Sequence, residues 1–158
     1  MESLRQREYP GSEIVIEQTL AAPITGCAVD DLERELEAAS SVLYLADNAG
    51  EIVLDMLFLS RITCKDVTVA VKGGPIINDA TMDDAEQIGL RARARVVSTG
   101  SDIPGTVLED CSPEFRGRFA GADLIIAKGQ ANYEALSDHP GPILLLLKAK
   151  CPVIARDL

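Results

Sequence analysis

The chain has 158 residues, 47% of them apolar and 25% charged, the size and composition of one globular unit with its own core. Its formal charge of -10 repels nucleic-acid phosphates and anionic membranes. Both are excluded as partners on this reading, and an anionic ligand needs a local cation.

The amino terminus, MESLRQREYPGSE, lacks the apolar stretch of a signal peptide, and ILLLL at 143–147 is far shorter than the ~20 residues of a membrane helix. Cys27, Cys64, Cys111 and Cys151 are scattered without a CxxC pair, and His139 has no second histidine beside it. Zinc held by sulfur and nitrogen is therefore not supported, and the cysteines read as small core residues in a reducing cytoplasm.

Residues 1–40 read as a partial N-terminal region, with Ile14 to Ile16 a candidate edge strand and Asp30 to Ala39 (DDLERELEAA) an acidic helix. From 41 to 158 short apolar runs recur: VLYLA (42–46), DVTVAVK (66–72), ARVVST (94–99), DLIIAK (123–128) and ILLLLK (143–148). The runs are continuous rather than alternating, as strands covered on both faces are. Between them lie candidate helices at Glu51 to Ile62, with Ile52, Leu54, Met56, Leu57 and Leu59 as apolar positions, at Asp79 to Gly89, near Pro104 to Glu109, and at Pro113 to Gly121. Strand alternating with helix predicts a three-layer, doubly wound, Rossmann-like α/β domain with about five mainly parallel strands and helices on both faces. Arg91, Arg93 and Arg95 alternate with alanine in LRARARVV, which reads as a solvated entrance to an extended segment or as a phosphate patch.

Ligands of open parallel sheets sit beyond the carboxyl ends of the strands. Four successive ends carry polar residues here: Asp47-Asn48-Ala49-Gly50-Glu51, KGGPIINDAT (72–81), STGSD (98–102) and KGQAN (128–132). Asp47, Asn48 and Asp79 offer two carboxylates and an amide oxygen, a set that suits a hard divalent cation such as magnesium or manganese, with cobalt and nickel also open. Helix capping explains the same residues: Asp79 or Thr81 can cap the following helix, with Asp84 completing a capping box, and Asn48 can support a left-handed turn before Gly50.

Gly50 opens a helix whose free N–H groups suit a phosphate, and Lys128 would add a positive charge, unless it is a surface lysine before a turn. Glu51 and Asp55, one helical turn apart, repel in the absence of a cation. Glu51 is a candidate proton acceptor or a solvated first-turn residue; Asp102 either caps at Ile103 or lines the pocket.

DNAGE followed by an apolar helix, then KGGPIINDAT, TGSDIPGT and KGQANYEAL, resembles the damage-control phosphatases, metal-dependent enzymes first catalogued as a domain of unknown function. The resemblance runs from about Asp30 to Leu158. It implies metal ligation by Asp47, Asn48 and Asp79, contact of Lys128 and Asn132 with a substrate phosphate, and hydrolysis of phosphate monoesters such as sugar phosphates or damaged phosphorylated metabolites. The residues ahead of DNAGE number only about forty where the family carries a longer helical region, EQTLAAPITG (17–26) does not match the family's Gly-Asn and further Asp, and the chain stops at ARDL. The expectation is a short or truncated prokaryotic-type member.

On this reading water attacks in line, with Glu51 or Asp102 as proton acceptor. A covalent aspartyl intermediate is the rival, but Ala49 stands where a second aspartate is wanted. A non-catalytic module binding metal or a phosphorylated ligand is the alternative function. A receiver-like signalling domain ranks last, because its paired acids are absent from the first strand end.

Overall fold

The apolar runs become strands because both of their faces find cover. The computed structural model describes residues 17, 21–23, 29–62, 66–149 and 152–157; Ile14 to Ile16, Cys27, Cys64 and Cys151 fall outside them. Strands β1 (Ser41–Leu45), β2 (Asp66–Val71), β3 (Arg95–Ser98), β4 (Leu124–Lys128) and β5 (Ile143–Leu146) form one sheet of order β3-β2-β1-β4-β5, parallel at every pairing. The helices are α1 (Val29–Ala38), α2 (Ile52–Leu59), α3 (Met82–Gln87), α4 (Pro113–Gly121), α5 (Gln130–Leu136) and α6 (Ile154–Asp157).

Alternate residues of the strands feed two separate cores. Val42, Tyr44, Val69, Val71, Leu124 and Ile126 pack with Ile52 and Leu59 of α2, Ala85 of α3 and Leu32 and Leu36 of α1. Leu43, Leu45, Ala70, Ile125 and Ala127 pack on the other face with Phe115 and Phe119 of α4 and Leu136 of α5. Helices on both faces of an all-parallel sheet make the three-layer α/β fold. A fully buried side chain such as Phe115 contributes roughly 1.5–3 kcal/mol.

Several helical expectations are corrected. The segment near Pro104 is not an α-helix: Pro104 and Gly105 lie in bends, and a 3₁₀ turn covers Leu108–Asp110. Arg91 lies in a 3₁₀ turn, Leu90–Ala92, ahead of β3 rather than in an extended segment, and all three arginines are exposed. On α2 the buried stripe is Ile52, Asp55 and Leu59, whereas Leu54 and Leu57 are 67% and 68% exposed. Helix α5 was hidden in the KGQAN stretch. Thr81 caps α3 in a capping box with Asp84, whose carboxylate accepts from the Thr81 amide at 2.8 Å. Cys111 is a buried free thiol, and burial pushes its pKa up. Among the described residues no helix is long and apolar enough to cross a membrane.

Candidate active site

Strand order reverses at β1, so the crevice between the carboxyl ends of β1 and β4 is the topological switch point, where open α/β sheets bind ligands. Leu45 pairs with Ala70 on one side and with Ala127 on the other. Two residues on, that register carries Asp47 between Lys72 and Gly129. Gly129 has φ +86°, and a Cβ there would run into the Asp47 carboxylate. Glycine is therefore required for both its backbone conformation and the space it leaves.

The DNAG and NDA loops are joined by backbone bonds. Ala80 N donates to Asp47 O at 2.7 Å, Ala49 N donates to Asn78 O at 2.8 Å, and Asn48 and Asp79 form an isolated antiparallel bridge. This pairing gathers Asp47, Asn48 and Asp79, as the strand-end spacing anticipates. Just before Asn78, Ile77 holds φ 48° and is 83% exposed. A β-branched residue in that region is strained, and such strain persists where surrounding bonds over-determine it. Here the Ala49 to Asn78 bond and the Asp79 N to Ile76 O bond at 3.0 Å lie on either side.

Lys72 was missed by sequence reasoning although it opens KGGPIINDAT. Its side chain is 6% exposed, and Nζ donates to Ile103 O at 2.8 Å and to Gly105 O, while standing 3.6 Å from Asp79 Oδ2. Burial lowers its pKa, and Asp79 and Asp47 oppose that shift. The lysine thus supplies an internal positive charge beside both carboxylates and ties the loop after β3 to the site.

On the opposite side of β1, Lys128 Nζ donates to Glu51 Oε2 at 3.2 Å and to Asp55 Oδ1 at 2.8 Å. The cation that relieves the Glu51–Asp55 repulsion is therefore Lys128 itself. Burial lowers its pKa, but the bonds and charges of Asp55 and Glu51 outweigh it and hold the ammonium above the usual lysine range. Lys128, Glu51 and Asp47 line a groove of about 290 Å³ together with Gly129, Gln130, Leu146, Leu147 and Lys148. With its side chain 19% exposed, Lys128 is not a free surface lysine.

The remaining expected site residues are placed differently. Asn132, 3% exposed, donates from Nδ2 to Lys128 O at 2.8 Å and accepts from Thr106 Oγ1 at 2.7 Å, so its amide fastens α5 to the loop after β3. Gly50 N already donates to Asn48 Oδ1 at 2.7 Å, closing a side-chain turn at the start of α2. Asp102 is exposed, near Gly74, and the Ile103 amide is taken by Ser101 Oγ at 3.4 Å. It is not among the residues lining the Lys128 groove.

The donor set fits a hard divalent cation. Among the described residues no three His, Cys, Asp or Glu side chains gather to hold a metal; the set that the paired loops bring together is two carboxylates, Asp47 and Asp79, and the side-chain amide oxygen of Asn48. That oxygen keeps a second lone pair after accepting from Gly50.

Comparison with known proteins places this architecture in context. The chain is 45% identical over 132 residues to a damage-control phosphatase of Pyrococcus horikoshii, covering 81% of this chain and 46% of the relative. It is 43% identical over 138 residues to a damage-control phosphatase of Archaeoglobus fulgidus, covering 84% and 48%. A crystal structure of a DUF89 family protein from P. horikoshii superposes with a TM-score of 0.86 at 41% identity, over 92% of this chain and 52% of that one. The chain thus spans about half the length of the relatives it matches. The family model described as the damage-control phosphatase ARMT1-like domain matches residues 6–158, and the chain belongs to that family.

Proposed function

We propose that this chain is a metal-dependent phosphatase acting on small phosphate monoesters, with sugar phosphates and damaged phosphorylated metabolites as the substrate class. The observation that carries the reading is the meeting of Asp47 and Asp79 on paired loops with Lys128 across the adjacent crevice. The names of the relatives support the same reaction class.

Asp47, Asn48 and Asp79 would hold the cation, of the manganese, cobalt, nickel or magnesium kind. Once bound, it supplies Lewis acidity toward the phosphoryl group. Lys128 receives the phosphate oxygens as a compact positive charge at the groove, offsetting their repulsion by the acidic chain. Gly129 leaves the space that the Asp47 carboxylate itself occupies at the crevice. Glu51, half-exposed at the groove, takes the proton of the attacking water; Asp102 is the less well placed acceptor. Ala49 supplies no acid beside Asp47, which favours water over an aspartyl intermediate.

A specific observation favours a second reading, a module that binds metal or a phosphorylated ligand without turnover. The amides of Gly50 and Asn132, both expected to meet phosphate, are engaged within the protein. The two readings part in one assay. The chain is stripped with chelator, resupplied with manganese, cobalt, nickel or magnesium, and offered p-nitrophenyl phosphate and sugar phosphates, with Asp79→Ala alongside. Metal-dependent phosphate release that the substitution abolishes supports the enzyme; metal binding without release supports the module.

A further inference from the structure

The two carboxylates that meet Lys128 differ in their surroundings. The Asp55 side chain is 8% exposed and its Oδ1 lies 2.8 Å from the ammonium; the Glu51 side chain is 43% exposed and its Oε2 lies at 3.2 Å. The second oxygen of Asp55 is buried and makes no hydrogen bond of ordinary geometry. The Tyr44 phenol lies against the same carboxylate, and burial together with Asp55 pushes its pKa far up. A buried carboxylate in a helical stripe otherwise filled by Ile52 and Leu59 costs desolvation that an apolar side chain there would not. Such a group is a candidate for function rather than for core stability.

We infer that Asp55 is a positioning residue: it anchors Lys128 at the crevice throughout, while Glu51 is an exchangeable partner that an incoming phosphate group displaces. An ammonium has three N–H bonds, two of them directed at these carboxylates. Asp55 is shut away from solvent and keeps its bond. Glu51 shares the groove with the ammonium, where an anion competes for the same proton. Displacement leaves the Glu51 carboxylate unpaired at the groove when a proton acceptor is needed there. This inference rests on the phosphatase reading for the identity of the displacing group, and on geometry alone for the anchor.

Two measurements on the full chain test it, with circular dichroism and melting confirming that each variant folds. In the first, reductive methylation of Lys128 is followed by mass spectrometry without any ligand. Asp55→Asn raises the labelling rate several-fold and Glu51→Gln changes it less. In the second, inorganic phosphate is titrated by calorimetry. Asp55→Asn weakens binding roughly tenfold or more, the range for partners that orient a functional group. Glu51→Gln tightens it, by at most about fivefold, the scale of a partly exposed ion pair. Unchanged labelling of Lys128 in Asp55→Asn overturns the anchor. Phosphate binding weakened equally by both substitutions overturns the division of labour. A wild-type chain that shows the labelling contrast but binds no phosphate retains the anchor and defeats the phosphatase reading together with the exchange.

Discussion

Lys72, directly after β2, and Lys128, the last residue of β4, stand on either side of β1 and are held in opposite ways. Lys72 sits among backbone carbonyls, with Asp79 its nearby carboxylate, and burial holds its pKa below the usual lysine range. Lys128 sits between two carboxylates at an open groove, and they hold its pKa above that range. The lesson is that a strand-end lysine becomes a strut when carbonyls of a neighbouring loop converge on it. On the proposed reading, it becomes an anion receptor when its partners are charged and one of them is exposed.

The comparison breaks or sharpens under substitution. The largest effect falls on the carboxylates between the lysines: Asp47→Ala and Asp79→Ala each abolish metal-dependent phosphate release, read as turnover after chelation and resupply. Next, Lys72→Met destabilises the fold by about 3–5 kcal/mol, as when one partner of a buried charge pair is removed. Thermal melting shows it as a fall of ~10 °C or more at this chain length. Should Lys72→Met melt like the wild type, the strut description is wrong.

Lys128→Met also leaves a buried carboxylate unpaired, but that carboxylate can be removed. In an Asp55→Asn background the cost of Lys128→Met shrinks, with a coupling of about 0.5–3 kcal/mol in a double-mutant cycle followed by denaturant unfolding. Additive costs would mean that the two side chains do not act as a unit. Lys72→Met and Asp55→Asn, on opposite sides of β1, should be additive within about 0.5 kcal/mol.

The smallest effect is at the cap of α3. Hydrogen bonds from the Thr81 hydroxyl and amide hold Asp84 below its ordinary pKa. A depressed folded pKa means that the stabilisation is complete above the unfolded carboxylate value, roughly 3.9, and is lost as pH falls through the lower folded value. Asp84→Asn should therefore cost about 0.5–1 kcal/mol at neutral pH. Unfolding measured against pH should show the difference narrowing below about pH 4.

Much of the fold was legible because β1, β2 and β4 must bury both faces, and an unbroken apolar run is the signature of that demand. The capping box was legible because Thr81 and Asp84 stand at the required spacing. What failed to show depended on distant partners. Pro104 and Gly105 suggested a helical segment, but Gly105 offers its carbonyl to Lys72, and that contact holds the chain in bends. Helix α5 begins directly after Gly129, so its residues read as a polar loop. Asp47, Asn48 and Asp79 could be singled out because each stands at a strand end. Asp55 could not, since a charge four residues into a helix normally faces water. Its burial depends on Lys128, which arrives 73 positions later in the chain. Asn132, which the resemblance assigns to the phosphate, bonds the Lys128 carbonyl and Thr106, partners no local pattern could name.

The division of labour across the switch point is tested most directly by calorimetric titration of manganese into the chelator-stripped chain and into Asp47→Ala, Asp79→Ala and Lys128→Met. The account predicts that manganese binding is lost in both aspartate variants and kept in Lys128→Met, which should lose phosphate binding instead. Wild-type manganese affinity in both Asp47→Ala and Asp79→Ala would contradict it.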